Sequence, residues 1–323
     1  MGVVNVTLGL WQDRPPAEAF QTAKAADQLG FGELWIGEMA TFDAFALATA
    51  IGTMTQQIIP SVGPFPVSVR TPVNVAMGAA TVSLAIGRPV NVALGTSSDV
   101  VVGQWHGRDR TRSAKRLDES AVVLRELLRG DKVYFEGETV RTSGFHLRLP
   151  PPTSRLSVAA FGSRAIGVAA ARADRVLLNM VTVDAARRLC ADIETAAAAA
   201  GRPRPTVAMW IAASVDPTEA DRAQMVRSKT GYLAAPGYSD MFVAAGFGEL
   251  VDYARSRPHP KDLRAAMPDS AIIAATCVAG SAQEVWTRIE QYFEAGVDEV
   301  CIAPTTAGDP GGLRTLRAVA ARR

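Results

Sequence analysis

The sequence has few of the residues that usually carry metal-based or nucleophilic chemistry. It contains only three histidines and three cysteines in 323 residues, and they are far apart. An odd number of widely spaced cysteines argues against a disulfide framework and against a zinc site. We therefore expect no metal site, and we expect reduced thiols of the kind found in the cytoplasm.

The sequence also has no block of charge of one sign and no long apolar run. Its 34 basic and 32 acidic residues are interspersed and leave a net charge of +2. This pattern favours neither a nucleic-acid partner nor a membrane surface. No stretch approaches the ~18 strongly apolar residues of a membrane span, and the N-terminus lacks the basic region of a signal peptide. The partner that remains is a small molecule.

The sequence does contain a regular alternation of β-branched runs with Ala- and Leu-rich segments of helical spacing. Eight strand–helix units can be counted, with the first strand at 3–10 and the eighth at 298–304. Repeated βαβ units predict an α/β fold with a parallel sheet. A count of eight favours a (β/α)8 TIM barrel, and a doubly wound sheet is the alternative. We predict a single domain over residues 1–323.

Two segments interrupt this alternation. Residues 130–152 alternate with period two around Gly-containing turns, which predicts an inserted hairpin after the fourth strand–helix unit. Residues 229–270 contain several turns and predict a helical insertion before the eighth strand. The run IIAATCVAG, residues 272–280, is interpreted as a short strand or a buried linker.

The ends of the predicted strands are rich in Gly, Ser, Thr and Asn and poor in ionisable groups. Glu38 is the only carboxylate directly at a strand end, which argues against a hydrolase with two carboxylates. No Walker loop and no Gly-x-Ser-x-Gly elbow is present. A cofactor that brings its own reactivity fits better, because small side chains suit a flat ring. The step Gly162-Ser163 opens a helix, whose free N–H groups suit a phosphate.

Several segments carry a resemblance to a known family. They include AADQLGFGELWIGE at 25–38, LGTSSDVVVGQWHGR at 94–108 and the stretch from VAGSAQEVW to DEVCIAP at 278–304. The chain resembles the bacterial luciferase-like superfamily of TIM barrels, specifically its coenzyme F420-dependent oxidoreductases. The resemblance implies hydride transfer between the deazaflavin and a small organic substrate, and a homodimer. An FMN-dependent monooxygenase is the first alternative, and a cofactor-free binding barrel is the second.

The resemblance also implies which residues contact the cofactor. A non-prolyl cis peptide at the end of strand three backs the ring in this family, and by position it would join Val62 to Gly63. The loop after strand four would line the ring edge, and residues after strands five and six would approach the phosphate. The expected cofactor-binding residues are Val62, Gly63, Gly95, Thr96, Ser97, Ser98, Gly162, Ser163, Asn179 and Thr182.

The sequence departs from the family at two positions that handle protons in relatives. Met39 stands where many relatives have a histidine, and Ser98 stands where some have a glutamate. This favours reduction of an activated C=C or C=N bond, which needs little acid–base help. The candidate catalytic residues are then Glu38 and His106. The candidate substrate contacts are Trp11, Met39 and Tyr232.

Each of these candidates also has a purely structural interpretation. Glu38 can be a carboxylate bonded to backbone N–H groups, and His106 can be an ordinary core or interface histidine. The cluster at 95–98 can be a turn followed by a helix cap, because Ser and Thr are common capping residues.

Overall fold

Eight parallel strands close into a ring in the computed structural model, which describes residues 2–8, 14–38 and 40–322. The strands of the chain are β1 (Val3–Thr7), β2 (Glu33–Ile36), β3 (Ile59–Pro66), β4 (Asn91–Gly95), β5 (Val133–Glu136), β6 (Arg141–Phe145), β7 (Leu156–Ala159), β8 (Arg175–Asn179), β9 (Thr206–Val215), β10 (Cys277–Gly280) and β11 (Glu299–Pro304). The ring runs β1-β2-β3-β4-β7-β8-β9-β11 and closes through pairing of β11 with β1. The predicted (β/α)8 TIM barrel is therefore confirmed.

Helices surround the ring and connect its strands. They are α1 (Ala17–Gln28), α2 (Ala44–Met54), α3 (Pro72–Ile86), α4 (Ser113–Arg129), α5 (Ser163–Arg172), α6 (Val183–Ala199), α7 (Glu219–Arg227), α8 (Tyr238–Ala244), α9 (Gly248–Arg255), α10 (Pro260–Ala265), α11 (Asp269–Thr276), α12 (Ala282–Glu294) and α13 (Leu313–Ala320). Side-chain caps begin several of them; Thr218 and Ser281, for example, each form a capping box. No helix among the described residues is long and apolar enough to cross a membrane.

The predicted hairpin is formed by β5 and β6 and is attached to α4 by one carboxylate. Glu119 is buried and accepts hydrogen bonds from the backbone N–H groups of Glu138, Thr139 and Val140. Burial by itself would raise the pKa of Glu119, but these bonds and the one from the Thr139 hydroxyl lower it to about 2. The turn of the hairpin is therefore held in a fixed position against the barrel.

The predicted helical insertion consists of α8 to α11 and extends further along the chain than expected. Residues 272–276 belong to α11, and only Cys277–Gly280 form a strand, β10. A short apolar run is compatible with either structure, and here Ile272, Ile273 and Thr276 lie on one buried helical face. β10 pairs with the end of β9 outside the closed ring. All three cysteines are buried and free.

The interior of the barrel is arranged in layers because side chains alternate along each strand. A buried charged layer fills the end where the strands begin. Arg175 contacts both carboxylate oxygens of Glu33 at 2.6 and 2.7 Å and one oxygen of Glu299 at 2.6 Å. Its guanidinium also lies over the ring of Trp35, 4.4 Å from the centroid. Burial by itself lowers the pKa of Arg175, but Glu33 and Glu299 raise it, so the cation persists.

We predict that Arg175→Met destabilises the fold by about 3–5 kcal/mol, because it leaves two buried carboxylates without their cation. The matched control is Arg141→Met, whose ion pair with Glu136 is 74% exposed on both sides and should change stability by less than about 0.5 kcal/mol. Urea unfolding at neutral pH measures both changes. Equal stability of the two variants would contradict the central role of Arg175.

Candidate functional site

The opposite end of the barrel, where the strands finish, is lined by small residues. A middle layer of Trp35, Ala93, Leu177, Ala208, Trp210 and Cys301 packs inside the ring. The rings of Trp35 and Trp210 meet edge to face, with centroids 5.6 Å apart. Alternation places Gly37, Gly95, Ala212 and Ala303 two residues beyond members of this layer. The two tryptophans therefore form a floor, and four of the five strand positions beyond it carry only glycine or alanine, the fifth being Asn179.

A distortion of strand β3 shapes this space. The pairing of β3 with β4 shifts register between Val62 and Phe65, as expected for a bulge. The expected cis peptide at Val62–Gly63 is wrong: the cis bond joins Gly63 to Pro64. Proline is the residue whose amide accepts the cis form most readily. Gly63 has φ of +115°, and a Cβ there would lie 2.4 Å from the carbonyl oxygen of Ala93, so only glycine fits.

In the loop after β4, some residues form local hydrogen bonds and one lines the neighbouring cleft. Gly95 is buried, and its carbonyl accepts a hydrogen bond from the N–H of Val67. Ser97 adopts a left-handed conformation with φ of 57°. Ser98 accepts a bond from the N–H of Val101 at 3.3 Å, within the first turn of a short π-helix at Val100–Trp105. Thr96 is the residue of this loop that lines the neighbouring cleft.

A cleft of about 970 Å³ lies beside the end of β4. Its described lining residues are Thr96, Arg110, Arg112, Ser113, Ala114, Lys115, Glu138, Gly162, Ser163, Arg164 and Ala165. Four of them are cations and one, Glu138, is an anion. Glu138 lies 3.4 Å from both Arg112 and Lys115 and raises the pKa of Lys115 through a hydrogen bond. The cleft therefore carries an excess of positive charge.

The first turns of two helices open into this cleft. Neither α4 nor α5 has a side-chain cap, since Arg112 and Gly162 stand at their N-cap positions. Among the described residues, the first three N–H groups of each helix have no hydrogen-bond partner. Helix N-termini carry a partial positive charge and unpaired donors, and both attract anions. Together with the four cationic side chains, they form a site for phosphate or carboxylate groups.

The expected phosphate contacts are only partly brought together. Gly162 and Ser163 line the cleft, and a Cβ at Gly162 would meet open space. Thr182 instead uses its hydroxyl to cap α6, accepting from the N–H of Ala185 at 3.2 Å. Asn179 donates to the hydroxyl of Tyr238 at 3.1 Å. Thr182 and Asn179 are not among the lining residues of the cleft.

An aromatic group covers one sector of the barrel mouth. Tyr238 packs against Phe161 and Tyr232, with centroid distances of 4.6 and 4.8 Å. Burial raises the pKa of both tyrosines, so their phenols remain neutral at physiological pH. Tyr232, the predicted substrate contact, therefore stands at the mouth next to Asn179. The predicted contacts Trp11 and Met39 lie outside the described residues.

The two candidate catalytic side chains differ in their surroundings. Glu38 is engaged by Arg70 through two hydrogen bonds of 2.9 and 2.7 Å and by the N–H of Ala44 at 3.3 Å. This arrangement matches the structural interpretation of Glu38, because its oxygens are already occupied. His106 follows the π-helix with an exposed side chain. It is not among the lining residues of the cleft.

Sequence reasoning missed Arg110, Arg112 and Lys115. They belong to RDRTRSAKR, residues 108–116, where five cations occur within nine residues, beginning ten positions beyond the predicted strand-four loop at 95–98. That local charge density is the feature that could have identified them. It also missed Ser68, just beyond the end of β3, whose hydroxyl is buried and has no partner in the described part of the chain. Arg110 Nε has the same property.

Comparison with known proteins places this geometry in context. The profile of the luciferase-like monooxygenase family matches residues 5–299. A 5,10-methylenetetrahydromethanopterin reductase of Archaeoglobus fulgidus is 24% identical over 303 residues, covering 90% of this chain and 88% of that protein. A Mycobacterium tuberculosis protein that carries the name of a coenzyme F420-dependent oxidoreductase is 28% identical over 147 residues, covering 46% of this chain and 41% of its own length.

Solved structures show the same fold. The coenzyme F420-dependent tetrahydromethanopterin reductase from Methanopyrus kandleri superimposes with a TM-score of 0.83 and 20% identity, covering 98% of this chain and 97% of that one. The oxygenating constituent of 3,6-diketocamphane monooxygenase from Pseudomonas putida, solved with FMN, has a TM-score of 0.71 and 14% identity, covering 99% and 97%. A protein described as F420-dependent and a protein solved with FMN therefore share this architecture.

We predict opposite effects of two substitutions on the affinity of the cleft for inorganic pyrophosphate. Arg112→Gln should weaken binding about two- to fivefold, because it removes an exposed cation. Glu138→Gln should strengthen binding by a similar factor, because it removes the only anion among the lining residues. Isothermal titration calorimetry measures both, with Arg141→Gln on the same hairpin as the control. Weaker binding by Glu138→Gln would show that the ligand does not enter this cleft.

Proposed function

Because the chain belongs to the luciferase-like monooxygenase family, we propose that it is an F420-dependent oxidoreductase that transfers a hydride between the deazaflavin and a small organic substrate. The proposed reaction is reduction of an activated C=C or C=N bond. The observation that carries the proposal is the cationic cleft, lined by two helix N-termini, beside a barrel mouth of small residues.

The cleft suits the anionic tail of a deazaflavin cofactor. Arg110, Arg112 and Lys115 belong to the segment that leads into and begins α4, and Arg164 belongs to α5, so the cleft receives positive charge from two separate parts of the chain. A spread of four cations suits a tail with more than one anionic group better than a single phosphate. The buried and unpartnered Arg110 Nε is a donor that such a tail could satisfy.

The mouth suits a flat ring. A Cβ at Gly63 or Gly95 would meet the backbone of Ala93 or the side chain of Pro64, respectively. With glycine at both positions, no side chain extends from these points of β3 and β4. The buried hydroxyl of Ser68 is unpartnered among the described residues and lies where β3 and β4 end. These residues therefore fit a planar, polar-edged cofactor. When bound, F420 supplies or accepts the hydride.

The side chains of the mouth would orient the reactants and exclude water. Tyr232, Tyr238 and Phe161 form an apolar cover with neutral phenols, and Asn179 fixes the position of Tyr238. Glu38 forms an ion pair with Arg70, and this pairing makes the Glu38 carboxylate less available as a general base. Such a site supports a reaction in which protein acid–base catalysis contributes little, and His106 stays a candidate proton donor.

The FMN-dependent monooxygenase is the second candidate, and its support is the FMN-containing structure with the same fold. A single phosphate at the N-termini of α4 and α5 would satisfy part of the cleft. It would leave some of the cationic side chains without an anionic partner, and for this reason we rank the F420 enzyme first.

We also propose that the chain forms a homodimer through α2 and α3. Neither helix contains an Asp, Glu, Lys or Arg residue, although both lie on the outside of the barrel. Their exposed faces carry apolar side chains, including Met54, Met77 and Leu84, of which Leu84 is 60% exposed. A two-fold interface brings a surface against its own copy, and an uncharged face does so without repulsion between like charges.

We predict that F420 binds at micromolar concentration and that FMN binds far more weakly. Fluorescence titration of the purified protein with each cofactor measures this, and Arg112→Gln should weaken F420 binding while Arg141→Gln does not. Reduced F420 should then be oxidised only when an acceptor with an activated C=C or C=N bond is added. Tight FMN binding without F420 binding would favour the monooxygenase, and binding of neither would favour a cofactor-free barrel.

We predict that Leu84→Lys converts the dimer to a monomer, because it places a charge in the apolar interface of both copies. Light scattering coupled to size-exclusion chromatography measures the mass. Tyr134→Lys is the matched control, since Tyr134 is 67% exposed on the hairpin, away from α2 and α3. A dimer that survives Leu84→Lys would place the interface elsewhere.

A further inference from the structure

The segment between α7 and α8 crosses the rim of the barrel mouth. On one side, the side-chain oxygen of Gln224 accepts bonds from the N–H groups of Thr306 and Ala307, both at 2.9 Å, in the loop after β11. On the other side, Tyr238 accepts a bond from Asn179 at the end of β8. Since β9 lies between β8 and β11 in the ring, residues 225–237 pass over the sector of β9.

Lys229 lies within this segment and is buried. The residue as a whole is only 2% exposed. Its backbone is held in a turn, because its N–H donates to Val226 and its carbonyl accepts from the N–H of Tyr232. The backbone of Lys229 therefore belongs to an ordered turn in the segment that joins α7 to the aromatic cover.

Lys229 differs from the other buried charged residues. Those with hydrogen-bond or ion-pair partners are Glu33, Glu119, Arg175, Asp221, Glu299 and Asp309. For Lys229, no carboxylate of the described residues lies within 4 Å of the nitrogen, and no described acceptor forms a hydrogen bond with it. Lysine is seldom fully buried without a partner, because removing an unpaired cation from water is costly.

The ammonium nitrogen is still reachable. It is not among the side-chain nitrogen and oxygen atoms that are both sealed from solvent and unpartnered, which include Trp35 Nε1 and Ser68 Oγ. The carbon chain of Lys229 is thus buried, while its charged end keeps a small solvent-accessible opening. An anion that enters this space would pair with the cation at a site of reduced dielectric constant, where the attraction is strengthened.

We propose that Lys229 binds an anionic group of the substrate, a carboxylate or a phosphate. This inference rests on the proposed function, since it assigns the barrel mouth to catalysis. The cationic cleft lies at β4 and β7, whereas Lys229 lies over β9, so two anion-binding positions stand on different sectors of the mouth. The first would hold the tail of the cofactor, and the second would orient the substrate over the small-residue space between them.

The test measures anion binding without any cofactor. In an Arg112→Gln/Arg164→Gln background, which weakens the cleft, the unfolding temperature is followed against inorganic phosphate and, separately, propionate. Lys229→Met should weaken the apparent Kd for the anion that binds about tenfold or more, because it removes a charge-assisted hydrogen bond. Lys229→Arg should restore most of the response. Lys261→Met, on exposed α10 of the same insertion, is the matched control and should change nothing.

Each outcome of this test bears on the proposal. A response to propionate alone identifies a carboxylate, and a response to phosphate alone identifies a phosphate. A response that survives Lys229→Met, or no response to either anion with Lys229 present, overturns the proposal. Failure of F420 to bind would overturn the proposed function but not this assay, because the assay contains no cofactor.

Discussion

The buried guanidinium of Arg175 is the interaction on which the layered interior of this barrel depends. Directly or through Glu33, it connects residues from six of the eight ring strands: Glu33, Ser61, Asn91, Ser157, Arg175 and Glu299. A charge can be held there because side chains from four other strands, β2, β3, β7 and β11, supply its partners. The end where the strands begin is therefore filled and rigid, and a ligand can enter only at the other end.

The layers above this network follow from it. Trp35 stacks on Arg175 and meets Trp210, and this pair blocks the barrel at its middle. The strands continue beyond the tryptophans mostly with glycine and alanine, so that few bulky side chains occupy the mouth. The positions of Gly63 and Gly95 matter for the same reason, because a larger residue there would either collide with the wall or fill the space.

The charges around the mouth are suited to binding anions rather than to moving protons. Glu38 is paired with Arg70, whereas the four cations that line the cleft face one lining carboxylate, Glu138, and Lys115 also lies 3.6 Å from Glu119. Lys229 has no anionic partner among the described residues. A site that presents unpaired cations and few free bases recognises charged ligands and depends on a cofactor for its reactivity. This is the physical basis of the proposed oxidoreductase.

The sequence by itself determined the fold, the two insertions and the loop after β4, because strand and helix periodicity and turn residues are local properties. It also predicted that a helix begins at Gly162-Ser163, and both residues line the cleft, while their contact with a phosphate stays a prediction. It could not assign Thr182 and Asn179, because the same residue types serve equally well as cofactor contacts or as structural residues. In the structure Thr182 caps α6 and Asn179 donates to Tyr238. Only the tertiary structure brought Arg110, Arg112 and Lys115 to the same cleft as the start of α5, placed the cis bond at Pro64, and left the Lys229 side chain without a partner among the described residues. These features depend on contacts between distant segments, which no local pattern encodes.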